Sequence, residues 1–107
     1  NLLTPQARVM RDGKMQVISA TDVVPGDILL IDEGEKIVAD ARVIVSGGLR
    51  VNQAILTGES VAQEKNTHTI PEATPLSDRT NMIYQGTSVA AGSGQAVVVA
   101  TGSHTEL

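Results

Sequence analysis

From Arg8 to Ser19 apolar and polar side chains alternate on either side of Asp12-Gly13, and a period of two is what a half-buried strand leaves in a sequence. Asp-Gly readily takes the positive φ angles of a two-residue hairpin loop, so the segment predicts two strands joined by a tight turn. Pro25-Gly26, within VVPGD, marks the next turn, and Asp27 to Asp32 (DILLID) reads as an apolar strand bounded by acids. Glu33 to Lys36 is a polar turn. Ala41 to Ser46 predicts a strand ending at Gly47-Gly48, and Leu49 to Asn52 another, with Arg50 and Asn52 outward. From Glu64 to Asn81 the chain is polar, broken by Pro71 and Pro75, and shows neither period; it predicts a long surface excursion. Met82 to Gln85, Ser88 to Ala91 and Gln95 to Thr101 read as strands, with Gly92 and Gly94 making the last turn. Ser103, followed three residues later by Glu106, matches a capping box that would open a helix at the C-terminus. The N-terminal NLLTPQA reads as the tail of an earlier element, so both ends suggest a piece of a longer protein, with truncated helical ends.

Composition sharpens this picture. The chain has 107 residues, a length that buries enough surface for one domain with a modest core. Its apolar share of 41% is almost wholly Val, Ala, Ile and Leu, with one Tyr and no Phe or Trp, which favours β-branched packing on pleated strands. Many short strands with Gly- and Pro-rich turns predict an all-β fold, a β-sandwich or jelly-roll-like barrel. A net charge of -4 with eight basic residues, and the lack of stacking aromatics, argue against a nucleic-acid partner. There is no Cys, hence no disulfide or thiolate metal site. No apolar run approaches a membrane span, so the chain as given is expected to be soluble.

The segment that carries candidate chemistry is Leu56 to Ser60, LTGES, after the Leu49 to Asn52 strand and before the polar excursion. A Gly beside an acid lets backbone approach a partner closely while the carboxylate projects forward, which suits positioning water against an electrophile. The hydroxyls of Thr57 and Ser60 can orient that carboxylate or cap a turn. By physics alone the same residues also make an ordinary exposed turn.

LTGES resembles the signature of the actuator domain of P-type cation-transporting ATPases. Other stretches match in order: VPGD (Val24 to Asp27), GEKIVADAR (Gly34 to Arg42), RVNQAILTGES (Arg50 to Ser60), NMIYQGTSVAAG (Asn81 to Gly92) and the closing Thr101 to Glu106, similar to TGxxTE. Two positions depart from the pattern. Val38 stands where the family usually has Pro, which predicts a looser loop, and SVAQEK replaces Ser-x-Pro-x-x-K while keeping Lys65. The look is closer to calcium-type pumps than to heavy-metal pumps.

The resemblance implies a distorted jelly-roll, double-stranded β-helix-like barrel that forms the cytosolic part of a pump in the cell membrane. It implies that Glu59 holds and partly deprotonates the water that attacks an aspartyl phosphate on a separate phosphorylation domain, that Gly58 permits the close approach, and that Thr57 and Ser60 support the loop. It also implies that phosphorylation, nucleotide-binding and transmembrane parts of the same chain are the partners. ATP and Mg2+ would serve the parent pump, with no cofactor or metal in this domain, and the domain on its own would be an inactive monomer.

Other residues are read as structural. His68 and His104 are expected exposed and solvated, without a third ligand at useful spacing. Asp27, Asp32, Glu33 and Glu35 form an acidic patch of the kind strand ends collect. Asp40 and Arg42 are expected to pair. Gly92-Ser93-Gly94 is read as a hairpin turn rather than a phosphate cradle, and Gly86-Thr87 as a bulge or tight bend. The competing functions are a non-catalytic β-sandwich interaction module and a stand-alone hydrolase using Glu59, the latter lacking a nucleophile or second acid.

Overall fold

The computed structural model describes residues 5–106; the first four residues of the N-terminal tail and Leu107 lie outside them. The Asp12-Gly13 hairpin forms as expected. β1 (Gln6–Arg11) and β2 (Lys14–Ser19) pair antiparallel with Arg11 opposite Lys14. Asp12 and Gly13 take φ of 53° and 73°, the doubly positive pattern of a turn whose twist matches the strands. β3 (Ile28–Asp32) follows the Pro25-Gly26 turn and adds to the other edge of β1.

β4 (Asp40–Asn52) and β7 (Ser88–Ala100), 13 residues each, carry the fold. β5 (Ala62–Glu64) and the two-residue β6 (Met82–Ile83) both pair with β4, completing one antiparallel sheet in the order β2-β1-β3-β7-β4-β5 with β6 off the path. The all-β, distorted jelly-roll-like expectation therefore holds, but its strands are not all short. Two pairs of expected strands are each one continuous strand: Gly47-Gly48 lies within β4, and Gly92 to Gly94 within β7.

These glycines are bulges and close approaches rather than turns. The β4–β7 register slips between Val43 and Val45, between Gly47 and Arg50, and between Arg50 and Val51, and each slip bends the strand and raises its twist. Gly92, at φ 77°, faces Gly48 so closely that a Cβ there would lie 2.3 Å from the Gly48 carbonyl oxygen. The bent sheet wraps around one core of small aliphatic side chains, among them Val9, Leu29, Ile37, Ala41, Val43, Leu49, Val51, Ile83, Ala96 and Val98. With Tyr84 its single buried aromatic, such a core needs strands to approach tightly, which the glycines allow.

Several local readings change. Asp40 does not pair with Arg42: it is buried and accepts from the Gln85 and Glu106 backbone N–H groups at 2.9 and 2.7 Å, while Arg42 is exposed. Regular alternation would place both side chains on one face of the strand, but Asp40 sits at the strand's entry and turns toward the chain's end instead. Val38 packs against the core, and Ile37 beside it exchanges backbone bonds with Thr87 and Gly86, so the segment lacking Pro is held rather than loosened. Gly86-Thr87 is the tight bend expected: Gly86 has φ 92° and Thr87 donates to the Tyr84 carbonyl from both N–H and Oγ1. At the C-terminal end, Gly102–His104 forms one 3-10 turn, and Glu106 N–H donates to Asp40 instead of a helix opening at Ser103.

In the acidic patch, Asp27 and Glu35 receive arginines from β1. Arg11 grips both oxygens of Asp27 at 2.9 and 2.7 Å, and Arg8 contacts Glu35 at 2.7 Å. The Arg11 guanidinium, with help from Val24 N–H, holds the Asp27 carboxyl below its ordinary value against the opposing effect of burial.

Candidate functional site

β4 ends at Asn52, and the chain turns at once into α1 (Ala54–Thr57). Asn52 Oδ1 accepts from Ala54 N–H at 2.9 Å, satisfying one of the donors a helix start leaves open. The helix is a single turn because Gly58, at φ 75°, caps it in the left-handed region, where a residue with a Cβ is disfavoured. LTGES is thus not a plain loop. Leu56 and Thr57 finish a helical turn, Gly58 reverses the chain, and Glu59 and Ser60 emerge beyond it.

Thr57, Gly58, Glu59 and Ser60 are all exposed. Thr57 Oγ1 reaches the backbone of Glu59, accepting from its N–H at 3.1 Å and lying 3.2 Å from its carbonyl, and also lies 3.3 Å from the Gln53 carbonyl. The Thr57 hydroxyl therefore fixes the main chain that carries Glu59, not the carboxylate itself. Among the described residues the Glu59 carboxylate makes no hydrogen bond, and Ser60 is exposed beside it. The structure brings the four candidates together on one protrusion, with the acid free to meet something outside this domain. No contact within 4 Å would crowd a Cβ at Gly58, so the approach to its backbone is open.

Beneath the protrusion lies a group that the sequence does not assign to the site. Lys65 is 1% exposed. Its Nζ donates to Gln53 Oε1 at 2.7 Å, to Gln63 Oε1 at 2.5 Å and to the Arg79 carbonyl at 3.0 Å. Gln53 and Gln63 each pass an amide N–H to the Ser77 carbonyl at 3.0 Å. Every acceptor is neutral, so no opposite charge offsets the loss of hydration, and burial pushes the Lys65 amine down to about 7. The polar excursion is correspondingly not free: it begins at the last residue of β5 and is tied down by Asn66 N–H to Thr80 O, by Asn81 Nδ2 to His68 O and by the Ser77 carbonyl.

A signal for this network does exist in the sequence. Gln63 and Lys65 are two apart at a strand and so share a face. Lysine's rarity in fully buried positions outweighs that signal when the sequence is read alone. His68 and His104 are exposed, as expected. Arg50 and Glu64 face each other across β4 and β5 at 3.8 Å, both well exposed, a pair that adds little.

Comparison with known proteins places these features in a family. The family model described as the P-type ATPase actuator domain matches residues 1–107. A calcium-transporting ATPase of Listeria monocytogenes is 46% identical over 103 residues, covering 96% of this chain and 12% of that protein. The endoplasmic reticulum calcium ATPase of Aspergillus fumigatus is 45% identical over 105 residues, covering 95% of this chain and 11% of that protein. The chain thus spans about one eighth of the length of these relatives. A crystal structure of a zinc-transporting PIB-type ATPase superposes with a TM-score of 0.72 over 94% of this chain and 14% of the other, at 18% identity, a likeness of fold.

Proposed function

Because this chain belongs to the P-type ATPase actuator domain family, we propose that it moves against a phosphorylated domain of its parent pump and supplies Glu59 to hydrolyse an aspartyl phosphate there. The observation that carries this reading is the geometry of the protrusion. A carboxylate without a partner among the described residues stands at the tip of a helical turn, its backbone held by Thr57 Oγ1 and its approach cleared by a glycine. A general base needs a positioned main chain behind it and an open lone pair; Thr57 holds the Glu59 backbone, and the carboxylate is open.

In the proposed step the Glu59 carboxylate accepts a proton from a water molecule as that water attacks phosphorus in line. The new O–P bond forms as the bond to the aspartyl oxygen breaks, releasing the aspartate and inorganic phosphate. Gly58 lets the main chain come close, and Thr57 keeps Glu59 at the right height. Ser60, beside Glu59, supports the loop. Orientation of this kind contributes typically about 100- to 10,000-fold.

Under the same reading the partners are the phosphorylation and nucleotide-binding parts of the parent and, through both termini, its membrane helices. The domain would sit on the cytosolic side of the membrane. Among the described residues no helix is long and apolar enough to cross a membrane, and no group of three or more His, Asp or Glu side chains is assembled that would hold a metal. The ATP and Mg2+ of the family's chemistry are assigned to other parts of the parent, and the isolated domain is expected to be inactive. The Listeria and Aspergillus relatives carry calcium in their names, and a calcium-type cation pump is the parent we infer. The curled sheet on two 13-residue strands gives the domain the stiffness to act as a lever, so that its movement on the phosphate site is transmitted to the membrane.

The test is the decay of phosphoenzyme in the full-length parent with Glu59→Gln, which keeps the shape and removes the base. Phosphoenzyme should form and then persist at least about 100-fold longer than in the wild type. Decay at the wild-type rate would leave LTGES an ordinary turn and the domain a non-catalytic interaction module.

A further inference from the structure

The buried amine beneath the protrusion has no counterpart in the proposed chemistry, yet it is the best-connected polar group in the site. Lys65 is anchored through its own backbone: its N–H donates to the Leu49 carbonyl, and its carbonyl accepts from Ser46 Oγ. From that fixed base on the sheet its Nζ reaches Gln63 in the adjoining β5 and joins two segments more distant in sequence, the start of α1 through Gln53 and the excursion through Arg79. The Gln53 carbonyl in turn accepts from Leu56 N–H, Thr57 N–H and Thr57 Oγ1, and Thr57 Oγ1 binds the backbone of Glu59. Hydrogen bonds on the two ends of Gln53, its side chain and its backbone carbonyl, therefore connect the Lys65 amine to Thr57 and through Thr57 to the main chain of Glu59.

We propose that Lys65 is a positioning residue for dephosphorylation, holding the one-turn helix α1 so that Glu59 stays at attacking height. The inference rests on the reading of Glu59 given above. α1 has only four residues and one glycine cap, far too short to be stable without tertiary support. The Gln53 side chain, from a residue 3% exposed, ties its start inward, and that side chain is itself set by two partners, Lys65 and Ser77. The charged groups nearby are directed elsewhere: the Arg79 side chain donates to the Thr74 carbonyl, and Glu64 and Arg50 pair on the outer face. Lys65 is thus committed to the glutamines and one carbonyl, with no carboxylate among the described residues to serve as a salt bridge.

A residue that acts only through Glu59 should matter when Glu59 is present and not when it is gone. The experiment uses the full-length parent pump carrying Lys65→Met, Glu59→Gln, or both, and measures phosphoenzyme formed from ATP and its decay after a chase. Lys65→Met is expected to reach the wild-type phosphoenzyme level and to decay roughly 10- to 100-fold more slowly, the scale of a misplaced catalytic group. The double variant should decay no more slowly than Glu59→Gln alone. A purely structural role would lower the phosphoenzyme level as well, or would slow the double variant further, and either result overturns the proposal. Wild-type decay in Lys65→Met beside slow decay in Glu59→Gln also overturns it and leaves the reading of Glu59 standing. Wild-type decay in Glu59→Gln removes that reading and this inference with it. Should Lys65→Met yield no phosphoenzyme, Gln53→Met, which cuts the tether and leaves Lys65 two acceptors, is read by the same criteria.

Discussion

Replacing Gly92 with Ala tests how tightly the two long strands close. A Cβ at this position would lie 2.3, 2.5 and 2.6 Å from Gly48 O, Gly48 C and Gly47 O. All three are backbone atoms of β4, which cannot swing away as a side-chain end could. The φ of 77° adds a penalty of roughly 1–2 kcal/mol for any residue with a Cβ, and forcing apart a packed contact adds about 1–3 kcal/mol. Against this, Ala restricts the unfolded chain and returns about 0.4–1 kcal/mol. The net expectation is a loss of about 2–4 kcal/mol, from a total of roughly 5–15 kcal/mol for a domain of this size. Gly34→Ala is the control, since its φ is 85° but nothing lies within 4 Å of its Cβ; it should lose only about 1 kcal/mol. Urea unfolding of the domain followed by far-ultraviolet circular dichroism separates the two. With a slope of about 1–3 kcal/mol per molar urea, the midpoint should fall by about 1–2 M for Gly92→Ala and by about half a molar for Gly34→Ala. Equal losses for the two variants would refute the close approach of β4 and β7.

Two further outcomes concern buried charge. Lys65 in the folded chain has its amine lowered to about 7 from 10.5, so between those values the unfolded chain holds a proton that the folded chain has released, and stability should rise with pH; between about pH 7 and 9 the wild type should gain about 2 kcal/mol relative to Lys65→Met in urea unfolding, and parallel profiles would contradict the buried amine. Asp27 is shifted below its ordinary value by Arg11, so its contribution is present above the ordinary carboxylate value and is lost as pH falls through that value and below; Asp27→Asn should flatten the acid limb of the stability profile between about pH 5 and 3, and an unchanged limb would place the pair's effect elsewhere.

Much of the fold is legible in the sequence because it is local chemistry. Asp12-Gly13 and Pro25-Gly26 specify their turns through φ alone, and the alternation before Asp12 marks the buried face of β1 at Ala7 and Val9, whereas Met15 and Val17 of β2 alternate in the same way yet stay exposed. The signature Thr57 to Ser60 is legible as a motif for the same reason: it is contiguous. The sequence misleads wherever a residue's role depends on a partner far along the chain. Gly47-Gly48 and Gly92 to Gly94 have the composition of turns, and nothing in either stretch reveals that they face each other across a continuous bulged pair. Arg42 is the partner that the sequence offers Asp40, whereas its true partners are backbone groups at Gln85 and Glu106.

The sequence by itself determined the all-β class, the hairpin, the tight bends, the aliphatic core and the family, because each rests on periodicity, backbone preference or contiguous motif. Only the tertiary structure decided that two pairs of strands are single long ones, that the polar excursion is tied down, and that a lysine lies buried under the protrusion. A lysine's burial depends on whether three acceptors converge on it. Here they come from Gln53, Gln63 and Arg79, and only folding brings those three to one point.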